Sequence, residues 1–232
     1  MEKYNLMQIL KNITVHMMIK NGEKYCRQAI SSVAPYFGKV IIVDTGSTDK
    51  TPQYLLELRK KFENLELRDI PAPDSIIWDG KHLNQTLTDI RNFMVSLTTT
   101  NLIMQLDDDE IYDFKTLKEL AYAIEQLETH YKDSYAGIQI PIKWCVSEKE
   151  YVEPGPFPKT LRIFKNGGDW RGKFPDEFYY FNNLPVHMMD PRCHTLKNGF
   201  LHMSMAIHPE RRPINGTIYS LSDHERELIS NV

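Results

Sequence analysis

Cysteine is scarce in this 232-residue chain, and no long apolar run is present. Cys26, Cys145 and Cys193 are its three cysteines, and they form no CxxC pair. An odd number of scattered thiols argues against a disulfide framework and favours reduced thiols. No apolar stretch reaches the roughly 18 residues of a membrane-spanning helix, and the N-terminus lacks the features of a secretory signal. We therefore expect a cytoplasmic protein without a transmembrane segment.

An excess of positive charge is also lacking. Lys and Arg number 28 against 31 Asp and Glu, which gives a net charge of -3. Overall charge therefore gives no reason to expect a nucleic-acid partner or an anionic membrane surface. The composition, 41% hydrophobic and 25% charged, is that of a globular protein long enough for one domain with a sizeable core.

Short apolar runs alternate with amphipathic segments in the first part of the chain. The runs at 13–19 and 40–43 predict strands buried on both faces, and the run at 101–106 predicts a further strand. The segments 23–33 and 83–97 have helical periodicity. Beyond about residue 130 the pattern becomes irregular and β-rich. This order predicts an α/β fold in which a mixed, mostly parallel sheet is flanked by helices and followed by an irregular β-rich part.

Three consecutive carboxylates, Asp107, Asp108 and Asp109, directly follow the apolar run at 101–106. Carboxylates this close repel one another unless a cation or a basic group compensates them. A hard divalent cation that also contacts phosphate oxygens would do so. The alternative is a solvated acidic loop, or a cluster that caps the next helix.

Asp44 ends the second apolar run and opens the segment Asp-Thr-Gly-Ser-Thr-Asp. One interpretation is a strand-to-helix turn in which Gly46 adopts a positive φ and Asp49 caps the helix. The other is that Asp44 reaches from the strand end to a base or ribose. Ligands of open α/β sheets bind beyond the carboxyl ends of the strands, where both acidic motifs are expected.

The segments ITVHMMIKNGEKYCRQAISSVAPYFGKVIIVDTGSTDKT and LTDIRNFMVSLTTTNLIMQLDDDE preserve an ordered set of motifs. Together they resemble the family 2 glycosyltransferases of the A-type (GT-A) fold, which share the Asp-Thr-Gly-Ser-Thr-Asp turn, an Arg-Asn pair and an Asp-x-Asp motif. The resemblance covers residues 13 to about 112. It implies a Rossmann-like GT-A fold and an enzyme that moves a sugar from a nucleoside diphosphate-sugar (UDP-, GDP- or dTDP-sugar) to a glycan or other hydroxyl-bearing acceptor.

The resemblance also implies roles for individual residues of the donor site. Asp44 would bind the base or ribose, the backbone around Met18 would line the base pocket, and Arg91 would contact the nucleotide or its phosphates. Asp107 and Asp108 would lie beside the ribose and the sugar.

Asp109 would ligate Mn²⁺ or Mg²⁺, which stabilises the charge on the leaving diphosphate. His202 lies in the late apolar run FLHMSM, and related enzymes often supply a late histidine to the metal. The alternative is a core histidine with a satisfied hydrogen bond.

The C-terminal half resembles the family less closely. FKNGGDWRGKFPDEF, residues 164–178, has Asp176-Glu177 where the family usually has His-Glu. Glu177 is the predicted general base of an inverting single displacement, with Asp176 as the alternative. Aromatic residues around Trp170 would form a wall for sugar rings or part of the core.

We predict one glycosyltransferase domain over about 1–206, with a donor-binding half at about 12–112 and an acceptor-binding and catalytic half at about 113–206. A C-terminal tail would follow at about 207–232. Two other functions stay open, a catalytically inactive nucleotide-sugar-binding module and a nucleotidyltransferase-like enzyme. The absence of a GxxxxGK phosphate loop disfavours the nucleotidyltransferase.

Overall fold

The computed structural model describes residues 7–69, 83–132, 134–172, 178–187, 190–208 and 216–230, with only the backbone described at 69 and 83–86. The first half of the chain alternates strands and helices. Its strands are β1 (Ile13–Ile19), β2 (Lys39–Asp44), β3 (Leu65–Asp69) and β4 (Leu102–Gln105), and its helices are α1 (Cys26–Val33), α2 (Thr51–Lys61) and α3 (Leu83–Ser96).

The second half is dominated by strands. It contains β5 (Glu110–Ile111), α4 (Phe114–His130), β6 (Gly137–Cys145), β7 (Glu150–Glu153), β8 (Lys159–Lys165), β9 (Asp169–Arg171), β10 (Phe178–Phe181), β11 (Leu184–Val186), β12 (Cys193–Thr195), β13 (Phe200–His202), α5 (Ser204–Ile207), β14 (Thr217–Ser220) and α6 (Asp223–Ser230).

The main sheet has the strand order β14-β7-β6-β8-β4-β1-β2-β3. Strands β4, β1, β2 and β3 are parallel neighbours, and β8 joins antiparallel to β4. The chain leaves β1 toward β2 on one side and returns with β4 on the other, so a topological switch point lies at the carboxyl end of β1. The predicted class is confirmed: a mixed α/β sheet, parallel in its first half, precedes a β-rich part.

Burial explains why the apolar runs form the inner strands. All residues of β1 are buried except the half-buried Met18, and the four central residues of β2 are buried on both faces of the sheet. Helix α1 contributes its apolar face, including Ile30 and Val33, to the same core. Parallel strands covered by helices on both sides need such continuous apolar sequence.

Strand β13 forms a second, smaller junction beside this sheet. It pairs antiparallel with β5 and parallel with β6, so His202 lies opposite Glu110 on one side and Trp144 on the other. Because partners in register project their side chains to the same face, these three side chains share one face of the junction. Leu201 and its partners lie on the opposite face.

Leu221 and the helix α6 that follows it, which we call the C-terminal cover, pack on that opposite face, whereas β14 pairs with β7 at the edge of the main sheet. Leu221 and Ile229 are buried in one cluster with Leu201 and Met203, the two neighbours of His202. Lys143 Nζ lies 2.5 Å from Glu225 Oε1, and Gln28 Nε2 donates to the carbonyl oxygen of Ile229. The domain boundary at residue 206 remains a prediction; residues 216–230 of the predicted tail contact the domain.

Among the described residues, no helix is both long enough and apolar enough to cross a membrane.

Candidate functional site

Asp44 lies at the carboxyl end of β2, where it organises the turn that follows. Its Oδ1 accepts hydrogen bonds from the backbone N–H groups of Gly46 at 3.0 Å and Ser47 at 2.8 Å. Gly46 has φ +97°, a region that glycine enters without strain, as the turn interpretation predicts. Asp44 therefore builds its turn, and a contact with a base or ribose stays a prediction.

The loops after β1 and β2 are tied together by side chains. Asn21 donates its backbone N–H to Ser47 Oγ at 2.8 Å, and its Oδ1 accepts from the backbone N–H of Thr48 at 2.8 Å. Two residues further along, the backbone N–H of Glu23 donates to Asp49 Oδ2 at 3.1 Å, and Glu23 Oε2 accepts from the backbone N–H of Lys50 at 3.1 Å. These crossed hydrogen bonds fix both loops at the switch point of the sheet.

Asp107 follows β4, the other parallel neighbour of β1, and is held by an arginine from β8. Arg162 Nη2 donates to Asp107 Oδ2 at 2.6 Å, while 44% of the Asp107 side chain is exposed. Burial raises the pKa of Asp107, but the charges of Arg162, His202 and Arg91, together with the hydrogen bond from Arg162, outweigh burial, and the net pKa is lowered. Asp107 is therefore an oriented, ionised carboxylate at the mouth of the site.

Glu110 is the inner partner of the same arginine. Its side chain is fully buried, and its Oε1 accepts from Arg162 Nη2. Burial raises the pKa of Glu110, and the charge of Arg162 opposes this shift. The motifs of the sequence did not predict this pair. Arg162 stands alone among Leu161, Ile163 and Phe164 in an apolar strand, which is the one sequence signal of a buried partner carboxylate.

Asp108 lies under the loop that follows β1. A Cβ atom on Gly22 would come within 2.1 Å of Asp108 Oδ2, so any other residue at this position would force the loop or the Asp108 carboxylate to move. Burial, together with the charges of Asp109 and Asp107, raises the pKa of Asp108 to about 7. Any cation or basic group that enters this region would favour its ionised form.

Asp109 and His202 face each other across the β5–β13 junction. Asp109 Oδ2 lies 3.6 Å from His202 Nδ1, and the backbone N–H of Met203 donates to the carbonyl oxygen of Asp109 at 2.9 Å. Ligand atoms of Asp107, Glu110 and His202 also lie within 4.8 Å of one another. Oxygen and imidazole donors at these separations fit a divalent cation such as Mn²⁺. Glu110 is fully buried against Arg162. The better donors to a cation are therefore Asp107, Asp109 and His202.

The alternative role of the three aspartates as a helix cap is wrong. The N-cap of α4 is Asp113, which lies after the motif at 107–109. Its Oδ1 accepts a hydrogen bond from the backbone N–H of Thr116 at 2.6 Å. The carboxylates of 107–109 precede the cap and face the β5–β13 junction or the loop after β1.

Arg91 and Met18 line a narrow crevice between α3 and the sheet, together with Asp107 and Trp170. The guanidinium carbon of Arg91 lies 4.8 Å from the centre of the Trp170 ring, a cation–π distance. The side-chain amide of Asn92 donates to the backbone carbonyl oxygen of Trp170 at 2.9 Å, and its Oδ1 accepts from the backbone N–H of Trp170 at 2.7 Å. Arg91 thus places its guanidinium group at the crevice, and Asn92 links α3 to β9.

The aromatic residues around Trp170 are mainly packing residues. Trp170 lies edge-on against Phe164 at 5.4 Å, and Tyr179 is buried in the same cluster. The structure therefore agrees with the interpretation of Trp170 and Tyr179 as part of the core. Asp176 and Glu177, the candidates for the general base, lie outside the described residues.

The comparisons with known proteins agree with this arrangement. The family model described as "Glycosyl transferase family 2" matches residues 14–181, which include every motif discussed except His202. No curated protein sequence matches the chain significantly.

Three solved structures illustrate the structural similarity. S. aureus TarS 1-349 has 16% identity and a TM-score of 0.49, over 94% of this chain and 68% of that one. The mannosyltransferase PcManGT from Pyrobaculum calidifontis, in complex with GDP-Man and Mn²⁺, has 13% identity and a TM-score of 0.46, over 66% and 44%. M. tuberculosis glucosyl-3-phosphoglycerate synthase has 15% identity and a TM-score of 0.40, over 61% and 48%. The chain spans less than half the length of the last two.

Proposed function

The chain belongs to glycosyl transferase family 2, and on this premise we propose that it transfers a sugar from a nucleoside diphosphate-sugar to an acceptor hydroxyl with the help of a divalent cation. The observation that carries the proposal is the cluster of Asp107, Asp109, Glu110 and His202 beside the switch point of the sheet, in which ligand atoms of Asp107, Glu110 and His202 lie within 4.8 Å of one another. Two of its donor atoms, from Asp109 and His202, lie 3.6 Å apart.

The donor would lie across the carboxyl ends of β1, β2 and β4. Asp44 would hold the base or ribose, and the backbone around Met18 would line the base pocket. Arg91 would face the phosphates from its crevice, where the Trp170 ring limits the movement of its guanidinium group. Asp107 and Asp108 would contact the ribose and the sugar, with Asp107 oriented by Arg162.

Asp109 and His202 would hold Mn²⁺ or Mg²⁺. The cation supplies positive charge against the diphosphate that leaves in the reaction. Asp107 and Arg91 would hold the donor so that the anomeric carbon of its sugar faces the acceptor hydroxyl.

We place the chemistry at the anomeric carbon as a single displacement with inversion. The acceptor oxygen forms a bond to this carbon as the bond to the diphosphate oxygen breaks, and the bonding electrons leave with the nucleoside diphosphate. Glu177, or Asp176 beside it, would accept the proton of the acceptor hydroxyl. The inactive-module hypothesis predicts donor binding without this step.

The first experiment measures thermal stability with UDP, GDP, dTDP and Mn²⁺, each nucleotide with and without the metal. A nucleotide at about 100 times its dissociation constant should stabilise the folded state by about 2.7 kcal/mol. We expect one nucleotide to raise the melting temperature only when Mn²⁺ is present. Asp109→Asn should abolish the metal-dependent part, and Glu57→Gln on the exposed face of α2 is the matched control.

The second experiment tests the general base by turnover with the donor found in this way. Glu177→Gln should lower the rate by a factor on the order of 10² or more while donor binding persists. If only Asp176→Asn has this effect, the base is Asp176. Donor binding by a wild-type protein that never transfers or hydrolyses the sugar would instead establish the inactive module.

A further inference from the structure

The imidazole of His202 is enclosed by side chains from two neighbouring strands. In the parallel pairing of β13 with β6, His202 lies in register with Trp144, and in the antiparallel pairing with β5 it lies in register with Glu110. The side chain of His202 is only 12% exposed. Its orientation is therefore decided by these neighbours more than by solvent.

Trp144 covers one face of the imidazole. The two ring centroids are 4.4 Å apart and the ring planes are inclined by 28°, a stacked arrangement. Stacking restricts rotation of the imidazole about its bond to Cβ, because a ring turned out of this plane would collide with the indole. The contact therefore fixes the direction in which both ring nitrogens point.

Trp144 is itself fixed by the segment between β7 and β8. Its Nε1–H donates to the carbonyl oxygen of Phe157 at 2.7 Å. A Cβ atom on Gly155 would come within 1.9 Å of the indole Cδ1, so the backbone of this segment lies directly against the ring. These two contacts hold the indole in place beside His202.

The polar contacts of His202 match the orientation that the stack imposes. Nδ1 accepts a hydrogen bond from the backbone N–H of Ser204 at 3.3 Å and lies 3.6 Å from Asp109 Oδ2, and Nε2 lies 3.9 Å from Glu110 Oε1. Rotation of the ring would move Nδ1 away from Asp109. In known metal sites, mutation of a group that orients a ligating histidine typically lowers the metal affinity by about 10- to 100-fold.

We propose that Trp144 is a positioning residue that holds the His202 imidazole in its metal-binding orientation opposite Asp109. This inference rests on the proposed metal-dependent function. It assigns a role to a residue outside the motifs at 44–49, 91–92 and 107–109, and to the segment Gly155–Phe157 that supports it.

The test compares the affinity for Mn²⁺ of four proteins, measured from the free-ion signal in electron paramagnetic resonance, alone and with saturating UDP or GDP. Trp144→Leu, which removes the aromatic ring, should weaken Mn²⁺ binding by about 10-fold or more. Trp144→Phe keeps an aromatic face and should stay close to the wild type. Tyr122→Leu, at an exposed aromatic residue of α4, is the matched control and should change nothing.

The outcomes separate the two hypotheses. If the wild type binds Mn²⁺ and Trp144→Leu binds it equally well, the positioning role is refuted while the metal site stands. If the wild type binds no Mn²⁺ under any of these conditions, the metal-dependent function fails and the positioning role with it. Equal weakening in the leucine and phenylalanine variants would refute stacking as the cause.

A measurement on the wild type covers the case in which Trp144→Leu does not fold. The indole N–H signal of Trp144, identified in nuclear magnetic resonance spectra by its loss in Trp144→Phe, should broaden when Mn²⁺ binds. The reason is that the ring stacks directly on His202. An indole signal that stays sharp while Mn²⁺ is bound would overturn the inference.

Discussion

Removal of Arg162 tests the buried charge network behind the site. The side chain of Glu110 is fully buried, and Arg162, itself 10% exposed, is its charge partner. After Arg162→Leu the groups that can still donate to Glu110 include, among the described residues, the backbone N–H of Asp107 at 3.3 Å and His202 Nε2 at 3.9 Å. Neither replaces a full positive charge in contact with the carboxylate.

The expected cost follows from this burial. Deleting one partner of a buried ion pair destabilises proteins by about 3–5 kcal/mol, because the other charge stays buried without compensation. For a chain of 232 residues, each kcal/mol lowers the melting temperature by about 2–4 °C. Arg162→Leu should therefore melt about 6–20 °C lower than the wild type.

Urea denaturation at neutral pH, monitored by circular dichroism, measures the loss directly. Arg171→Leu is the control, because Arg171 also pairs with a carboxylate, Asp169 at 2.8 Å, but is 44% exposed. This surface pair should contribute about 0–1 kcal/mol. The double variant Arg162→Leu/Glu110→Leu should recover most of the loss. A cost for Arg162→Leu no larger than that of the control would refute the account.

Three further predictions concern stability. Burial, with a smaller effect of Lys39, lowers the pKa of His16 to about 3, below the unfolded value of about 6.5. The unfolded chain therefore binds the extra proton first, and this group removes about 1.4 kcal/mol per pH unit as the pH falls below about 6.5. His16→Gln should flatten this acid slope in urea titrations, and an unchanged slope would contradict it. Asp113→Ala should cost about 1 kcal/mol through loss of the α4 cap, whereas Asp113→Asn should cost less; equal melting points would refute the cap. Gly22→Ala should cost about 1–3 kcal/mol by forcing the loop off Asp108, and a neutral result would show that the carboxylate moves freely.

The parallel half of the fold was predictable because it is local in sequence. The apolar runs at 13–19, 40–43 and 101–106 became β1, β2 and β4, and their ends carry the polar residues that meet at one edge. The family and the enzyme class, a glycosyltransferase, are confirmed by the match over residues 14–181. Both follow from the order of motifs that lie in or beside these elements.

The network behind the site was not predictable from local patterns. Arg162 is 55 positions from Asp107 and 52 from Glu110, and periodicity shows that a residue is buried without showing its partner. Trp144 meets His202 only through the pairing of β13 with β6, two short strand segments in an irregular region. Long-range register of this kind depends on the whole sheet.

The C-terminal cover sets the order in which a growing chain can assemble. Residues emerge from the ribosome from the N-terminus onward, so β1 to β4 can pair long before β13 exists. His202 joins Asp109 only after β13 has inserted between β5 and β6, and its neighbours Leu201 and Met203 are shielded only when Leu221 and Ile229 arrive. Gln28 then meets Ile229 across 201 positions of sequence. The parallel sheet of β1 to β4 is thus expected to form early during synthesis, and the β5–β13 junction last.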